Sequence, residues 1–399
     1  MRTIRKVRLS EIAELITKGT TPTTLGYDFQ DNGVNFLKIE CFSENGDFIK
    51  EKVAHISEKC HERLKRSQLR AGDVLFSIAG AIGRVAIVTK KMLPANTNQA
   101  LAIIRIARDD IYLPYVKLIL KSPIVKTQFE RKKQGVAQLN ISLKDITELE
   151  IPLPDMDQQI ECAELFKKIS EIIDFRQQEL QKLDELVKSR FIELFGDPVS
   201  NSLGLTTKSM TEVCEIIDGD RGKNYPCADE FMKEGYCLFL NAKNVTSSGF
   251  NFDNCMFISK EKDEALRKGK LTHGDVILTT RGTLGNLAFY TEEIPFEHVR
   301  INSGMVILRM KQDIVNEIYF IEQFKMQLAD IKEKIASGSA QPQLPISTMN
   351  KIQLIIPDIE RQNQFADFVR QIDKSKLSVQ QALDKAQILF DSLIQRYFR

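Results

Sequence analysis

LRAGDVLFSIAGAIGRVAIV occupies residues 69–88, and LTHGDVILTTRGTLGNLAFY occupies residues 271–290, a shift of 202 positions (271 − 69). Both stretches contain GDV followed by apolar residues, as expected of a buried strand, and then a loop with two glycines. A period of about 200 residues is much longer than the roughly 20 to 50 residues of solenoids and propellers. The stretch therefore indicates that a whole domain is duplicated within the chain.

The duplication extends outward from this stretch in both directions. The same motifs follow in the same order, and each copy ends in a long segment that starts with Pro-Asp. The flanking pairs are SEIAELI at 10–16 with TEVCEII at 211–217, NQALAIIRI at 98–106 with NSGMVILRM at 302–310, and PDMDQQIECAELFKKI at 154–169 with PDIERQNQFADFVRQI at 357–372.

Composition is that of an ordinary globular protein. The chain has 399 residues, of which 43% are hydrophobic and 28% charged, and this length allows about two to three domains. The start, MRTIRKVRL, is not followed by a long apolar stretch, so we expect a cytoplasmic protein with no membrane partner. The seven cysteines and four histidines show no zinc-binding spacing, so we expect no metal site.

The net charge of +2 is unevenly distributed. Residues 1–150 contain 25 Lys+Arg and 17 Asp+Glu (net +8), whereas residues 199–357 contain 18 and 20 (net −2). A basic excess favours contact with phosphate. The first copy is therefore suited to nucleic acid as a whole, and the second depends on local clusters of cations.

Each copy consists of two parts with different periodicities. The first part, about 150 residues, alternates short strands such as NFLKIE and ALAIIRI with helical stretches, which predicts an α+β domain. The second part is a long helix for which Asp155 and Asp358 are the expected N-caps. The predicted divisions are residues 1–153, a central helix over 154–196, a linker over 197–206, a second domain over 207–357 and a distal helix over 358–399.

The two long helices have a coiled-coil pattern. Both copies take two successive steps of four, 172 to 176 to 180 and 375 to 379 to 383, which predicts a shared stutter. The first helix is expected to end at Gly196, and Pro198 prevents its continuation. About 39 residues make a helix of roughly 58 Å, and an antiparallel pair would form a strut. The alternative is a coiled coil that only holds two similar halves together.

Three loops in each copy carry the candidate DNA-contacting residues. The loop after the GDV strand retains its glycines while its polar residues change, and Arg, Asn and Thr are side chains that recognise base edges. Basic residues beside Gln and Asn suit a phosphate contact next to a base contact. The alternatives are a plain hairpin turn and a solvated helix end. The first copy supplies Lys18, Thr20, Thr21, Thr23, Ser77, Arg84, Arg131, Lys132, Lys133, Gln138 and Asn140, and the second supplies Arg221, Lys223, Asn224, Tyr225, Thr279, Thr280, Arg281, Thr283, Asn286, Lys332, Lys334, Gln341 and Gln343.

Motifs of enzymes are missing from the sequence. It has no GxGxxG, no GxxxxGK[ST], no NPP[YF] of adenine methyltransferases and no GxSxG. Glu130, Arg131 and Lys132 form one ExK, but the second copy has no matching acidic set, so a charged helix face is the simpler interpretation. We therefore predict no catalytic residues.

With these motifs together, the chain resembles the DNA-specificity subunit of type I restriction-modification systems. The resemblance covers essentially all residues and is carried by the paired GDV strands, by IPLPD and IIPD before the long helices, and by KSRFIELFGDP at 188–198. It implies two similar α/β target-recognition domains separated by two long conserved helices that form an antiparallel coiled coil. Residues 1–153 would then recognise one half of a bipartite double-stranded DNA target and residues 207–357 the other.

The resemblance also implies partners. The long helices would set the spacing of the half-sites and bind two methyltransferase subunits, and restriction and translocase subunits would join the full complex. AdoMet, ATP and magnesium would be used by those partners, and this chain would bind no cofactor. The alternative is a protein-interaction scaffold or decoy that binds the same partners without recognising DNA.

Overall fold

The computed structural model describes residues 5–131, 141–336 and 343–397. The chain divides into two compact units, Met1–Gln177 with Gln381–Arg399, and Gln178–Gln380. The divisions fall inside the two long helices. Each unit therefore combines one α+β domain with a part of both helices.

Domain 1 is the α+β part of the first unit, and it has an antiparallel four-stranded sheet at its centre. The elements are β1 (Arg5–Arg8), α1 (Leu9–Ile12), β2 (Leu15–Lys18), β3 (Val34–Leu37), β4 (Ala54–Ile56), α2 (Glu58–Arg63), β5 (Val74–Ser77), β6 (Val85–Ile87), β7 (Ala95–Thr97), β8 (Leu101–Arg105), α3 (Leu113–Lys121), α4 (Pro123–Arg131), α5 (Leu143–Thr147) and β9 (Glu150–Leu153). The central sheet has the order β2-β8-β5-β6, a second sheet has the order β4-β3-β7, and β1 pairs with β9.

Domain 2 repeats this topology in the second unit. After the long helix α6 (Met156–Phe195) come β10 (Thr207–Ser209), α7 (Met210–Val213), β11 (Cys214–Asp218), β12 (Cys237–Leu240), β13 (Val245–Thr246), β14 (Gly249–Phe250), β15 (Phe257–Ile258), α8 (Lys260–Ala265), β16 (Asp275–Thr279), β17 (Leu287–Phe289), β18 (Val299–Ile301), β19 (Met305–Met310), α9 (Glu317–Ala336), α10 (Ile346–Met349), β20 (Gln353–Ile355) and the distal helix α11 (Ile359–Tyr397). The sheets are β11-β19-β16-β17, β15-β12-β18 and β10-β20, and the hairpin β13-β14 is added.

The GDV strands lie at the centre of both domains. β5 and β16 are central strands, each paired on both sides. They are buried along their whole length because their two faces pack into different apolar clusters. A continuous apolar strand is expected where both faces of a sheet are covered. The repeated stretch at 69–88 and 271–290 therefore forms the middle of each domain. The predicted duplication is confirmed.

The central helix α6 begins and ends as predicted. The Asp155 carboxylate accepts a hydrogen bond from the backbone N–H of Gln158 at 3.0 Å, which caps α6. At the other end, Gly196 has φ +74°, and its N–H donates to the Ile192 carbonyl at 2.8 Å. The left-handed conformation at Gly196 stops the helix after Phe195.

Within each unit the two long helices run antiparallel. In the first unit the start of α6 lies beside the end of α11, with the rings of Phe166 and Phe390 5.1 Å apart. In the second unit the end of α6 lies beside the start of α11, with the rings of Phe191 and Phe365 5.5 Å apart. Phe191 is fully buried, which explains why the segment at 188–198 ends the helix with aromatic residues.

The predicted stutter is wrong. Ile172 is 50% exposed and Ser375 is also exposed, whereas Ile173 and Lys376 are half-buried. With Ile173 in place of Ile172 and Lys376 in place of Ser375, the positions shielded from solvent follow alternating steps of four and three. Both helices therefore keep a regular heptad pattern. The buried or half-buried residues with this spacing are Ile169, Ile173, Arg176, Leu180, Leu183 and Val187 in α6, and Ile372, Lys376, Val379, Leu383, Ala386 and Phe390 in α11.

Candidate nucleic-acid interface

Two of the three predicted loops of domain 2 meet at one turn, residues 302–304. The amides of Thr280 and Arg281 both donate to the Gly304 carbonyl, at 2.8 and 3.2 Å. From the loop after β11, the Arg221 guanidinium donates to the Ser303 carbonyl at 3.2 Å. The loops after β11, β16 and β18 therefore form a single surface, which we call the loop junction of domain 2.

Domain 1 builds its loop junction with the same backbone hydrogen bonds. The Ile78 amide donates to the Ala100 carbonyl at 2.9 Å, and the Ile141 amide donates to the Ile78 carbonyl at 3.0 Å. The corresponding bonds in domain 2 are Thr280 to Gly304 at 2.8 Å and Leu344 to Thr280 at 3.1 Å. The two junctions therefore have the same backbone frame.

The glycines of the loop after the GDV strand have the conformation that the retained pattern predicts. Gly83 and Gly285 have φ +87° and +80°, in the left-handed region that glycine enters without steric cost. Gly80 and Gly282, at +73° and +74°, match in the same way. The prediction of a fixed turn with changing side chains is confirmed for the backbone.

An ion pair at the end of each GDV strand opposite to the junction was not found by sequence reasoning. Asp73 of the first GDV accepts two hydrogen bonds from Arg105, both at 2.7 Å, and Asp275 accepts two from Arg309, both at 2.8 Å. Each pair links the start of the GDV strand to the neighbouring strand. The sequence contained one signal for these pairs, because both copies of the repeat have GD before the central strand and RI or RM at the end of the neighbouring strand.

Three predicted DNA-contacting residues are buried. Ser77 and Thr279 have no exposed surface and Thr280 is 5% exposed. The Ser77 hydroxyl donates to the Ala79 carbonyl at 2.9 Å, and the Thr280 hydroxyl donates to the Gly304 carbonyl at 3.0 Å. The prediction that these side chains face DNA is corrected, because their hydroxyls hold the loops in place.

The side chains of four further candidates contact other residues of their own domain. Arg84 donates to the Phe42 carbonyl at 2.9 Å, Asn286 donates to the Val245 carbonyl at 3.0 Å and Asn224 donates to the Ala265 carbonyl at 2.9 Å. The Tyr225 ring packs edge-on against Phe239, with the centroids 5.7 Å apart. These half-buried side chains each have a partner within their domain, and their role as contacts to DNA stays a prediction.

The remaining candidates whose side chains are described form two groups, one exposed and one half-buried. Lys18, Thr23, Arg221, Lys223, Arg281, Thr283 and Gln343 are exposed, whereas Thr20, Thr21 and Lys332 are half-buried. Thr21 is hydrogen-bonded to Gln99, and the Lys332 side chain lies against Gly285. Lys132, Lys133, Gln138, Asn140 and Gln341 lie outside the described residues, and so do the side chains of Arg131 and Lys334.

Arg281 has the arrangement expected of a side chain that contacts a base. Its backbone is fixed at the loop junction while its side chain is exposed, and within the described residues its guanidinium has no hydrogen bond or ion pair. The residue aligned with Arg281 in domain 1, 202 positions earlier, is Ala79. The two junctions therefore present different chemistry on one frame.

Sequence reasoning also missed a basic segment before each GDV strand. In domain 2, Arg267 and Lys268 are exposed beside the loop after β11. In domain 1, the Arg66 side chain donates to the Thr17 hydroxyl at 2.8 Å and so reaches the strand that leads into loop 18–24. These cations lie far in sequence from the loops beside which they are placed. No local sequence pattern therefore predicted that they belong to the same surface.

Residues 5–131, 141–336 and 343–397 contain neither a metal-binding cluster nor a membrane-spanning helix. In these ranges, no group of three or more His, Cys, Asp or Glu side chains is arranged to hold a metal ion. None of the helices there has a stretch both long and apolar enough to span a bilayer.

Comparison with known proteins gives consistent matches. The family described as "Type I restriction modification DNA specificity domain" matches residues 1–185 and 204–387. The type I restriction enzyme EcoBI specificity subunit of Escherichia coli is 28% identical over 201 residues, which are 49% of this chain and 40% of that protein. The putative MjaX specificity subunit of Methanocaldococcus jannaschii is 21% identical over 380 residues, 92% of this chain and 85% of that protein.

A solved structure has the same fold. It comes from work on complex assembly and conformational transition of the type I R-M system, and it has a TM-score of 0.58 at 17% identity, covering 99% of this chain and 96% of that chain. The family match includes both copies of the repeat and most of both long helices. This chain therefore belongs to the family of type I restriction-modification DNA specificity subunits, which are non-catalytic components of their complexes.

Proposed function

We propose that domain 1 binds one half of a bipartite double-stranded DNA target and domain 2 the other. The observation that carries this proposal is the pair of loop junctions, which share backbone hydrogen bonds but present Ala79 in domain 1 and Arg281 in domain 2. The same backbone frame with different side chains is what recognition of two different half-sites requires.

The chemistry of each junction supports this assignment. Arg281 is an exposed guanidinium on a fixed backbone, and Arg donates in two-point fashion to O6 and N7 of guanine in the major groove. Two exposed cations suit phosphate contacts: Lys18 is the last residue of β2, and Lys223 lies on the loop after β11. Each domain would thus combine contacts that position the duplex with contacts that recognise bases.

The long helices are the proposed binding surface for two methyltransferase subunits. They carry large apolar side chains that are exposed in this chain, and such side chains favour contact with another protein. We further propose that restriction and translocase subunits join through this assembly, and that AdoMet, ATP and magnesium are bound by those partners. The exposed apolar residues are Ile172, Phe175, Leu186, Ile192, Leu377, Ile388 and Leu389.

Methylation mapping tests the proposal directly. The chain is co-expressed with the methyltransferase encoded beside it, and methylated bases in the host DNA are mapped. We expect one bipartite motif, and replacement of residues 1–150 by those of another specificity subunit should change one half of it only. Absence of sequence-dependent methylation, or a change in both halves, would contradict the proposal.

A further inference from the structure

A concave site with a basic rim lies at the loop junction end of domain 2. It has a volume of about 420 Å³ and is lined by the loop after β11 and by the segment before β16. Four cations contribute to the lining, namely Arg221, Lys223, Arg267 and Lys268. Since residues 199–357 have a net charge of −2 (18 Lys+Arg, 20 Asp+Glu), this concentration of positive charge is local.

Asp220 holds the two sides of the site together. One carboxylate oxygen accepts the Gly222 amide at 2.7 Å, and the other accepts the Arg267 amide at 2.7 Å. The Asn224 side chain adds a second link by donating to the Ala265 carbonyl at 2.9 Å. The site is therefore a built concavity, in which a buried carboxylate fixes the backbone that carries the cations.

The two carboxylates of the site leave most of its positive charge available. Asp220 is only 9% exposed and its oxygens face backbone N–H groups, while Asp218 pairs with Arg221 at 3.1 Å. Lys223, Arg267 and Lys268 are exposed, and within the described part of the chain their side chains make no hydrogen bond or ion pair. Three cations are thus free to bind an anion at one place.

The site lies on the same side of domain 2 as Arg281. Gly219, on its rim, contacts the Asn302 carbonyl so closely that a Cβ would not fit, and the Ile301 amide donates to the Gly269 carbonyl at 2.9 Å. Both contacts lead to the 302–304 turn on which the Arg281 backbone is held. A duplex placed against Arg281 would therefore bring its phosphates near these cations.

We propose that this site binds backbone phosphate of the duplex beside the half-site that domain 2 recognises, with Lys223, Arg267 and Lys268 as the contacting residues and Asp220 as the positioning residue. The proposal rests on the proposed function of domain 2. Phosphate contacts fix the register of a protein on DNA without selecting bases. The site would supply the attraction that the net charge of domain 2 lacks.

The test compares two double variants of the full chain in complex with its methyltransferase subunits. Arg267→Ala/Lys268→Ala removes two proposed phosphate contacts. Lys233→Ala/Lys351→Ala removes two charges from exposed lysines elsewhere in domain 2, one before β12 and one before β20. The probe is a 30-base-pair duplex that contains the methylation motif mapped for the wild type, and its affinity is measured between about 50 and 300 mM salt.

Each phosphate contact to B-DNA contributes about 0.9 to the slope of log affinity against log salt. We expect Arg267→Ala/Lys268→Ala to reduce this slope by about two and to weaken binding roughly 5- to 30-fold at 0.15 M salt, with the methylated motif unchanged. The control variant should keep the wild-type slope.

Three results would overturn the proposal. They are an unchanged slope, a slope reduced equally in the control, and a change of the motif itself, which would make these residues base contacts. We expect inorganic phosphate up to 1 mM not to bind this site. Tight binding of free phosphate, together with an unchanged slope for DNA, would show that the site binds a small ligand instead. If the wild type methylates no bipartite motif, the proposed function fails rather than this site.

Discussion

Asp275 and Arg309 form a two-point ion pair between adjacent strands, with carboxylate to guanidinium distances of 2.8 Å for both Oδ1···Nε and Oδ2···Nη2. Asp73 and Arg105 repeat this geometry at 2.7 Å in domain 1. Both carboxylates are buried, and each also accepts a backbone N–H three residues earlier in the chain. The Asp of GDV therefore has a structural role in fixing the loop that precedes the central strand.

Loss of the guanidinium should destabilise domain 1 more than domain 2. The side chain of Arg105 is 13% exposed and that of Arg309 is 37% exposed, so water can replace Arg309 more easily. Removing one partner of a buried pair costs about 3 to 5 kcal/mol. We expect Arg105→Met to approach this loss and Arg309→Met to cost less, measured by amide hydrogen exchange of β5 and β16.

The matched double variant controls for this prediction. Asp73→Asn with Arg105→Met removes both charges and keeps an acceptor oxygen for the Arg70 N–H, so no buried charge is left unpaired and much of the lost protection should return. Equal protection in the wild type and in Arg105→Met would contradict the prediction.

Arg281→Ala should change one half of the recognised sequence. Loss of a two-point contact to a base lowers discrimination at that position by about 1 to 3 kcal/mol, so one position of the second half-site should become degenerate. Mapping of methylated bases measures this change. Lys233→Ala is the control, and a change in the first half-site, or no change at all, would argue against Arg281 as a base contact.

Alanine at Gly83 and alanine at Gly285 should destabilise the protein by similar amounts. Both have positive φ, and the left-handed conformation costs a non-glycine residue about 1 to 2 kcal/mol. Gly83 has open space where a Cβ would lie, and at Gly285 the Cβ would meet only the far end of the Lys332 side chain, which can move aside. Thermal unfolding of the two variants should show similar losses, and a clearly larger loss for Gly285→Ala would show that Lys332 is held in place.

Acid should loosen the concave site of domain 2. The Gly222 amide, and then the Arg267 amide, lower the pKa of Asp220 below its ordinary value of 3.8. A lowered pKa means that this stabilisation is complete above about pH 4 and is lost as pH falls through the folded-state pKa. We expect the amides of Gly222 and Arg267 to lose protection from hydrogen exchange, relative to intrinsic rates, below pH 4.

Asp220→Asn provides the comparison for the pH dependence. The variant keeps one acceptor oxygen but places an NH₂ group against a backbone donor, so protection should be low at every pH. A variant whose protection equals that of the wild type at pH 6 would show that the carboxylate does not hold the site.

Much of the architecture followed from local patterns. GDV strands, left-handed glycines and the Asp155 cap depend on a few neighbouring residues, and their physical cause is backbone conformation and burial. The stutter failed because neighbouring apolar residues at 172 and 173 both fit a helical seam, and only the packed neighbours decide which of them is covered.

The sequence by itself determined that the chain is a duplicated α+β domain with two long helices and no recognisable catalytic motif, since strand patterns, caps and repeat spacing are local properties. Only the tertiary structure decided which polar loop residues face outward. Ser77 and Arg84 have side chains suited to DNA, but both donate hydrogen bonds to carbonyls of their own domain. The backbone of Arg267 is linked to the loop after β11 by a hydrogen bond to Asp220, 47 residues earlier. Whether a donor is free depends on partners that folding brings close, and no local pattern records them.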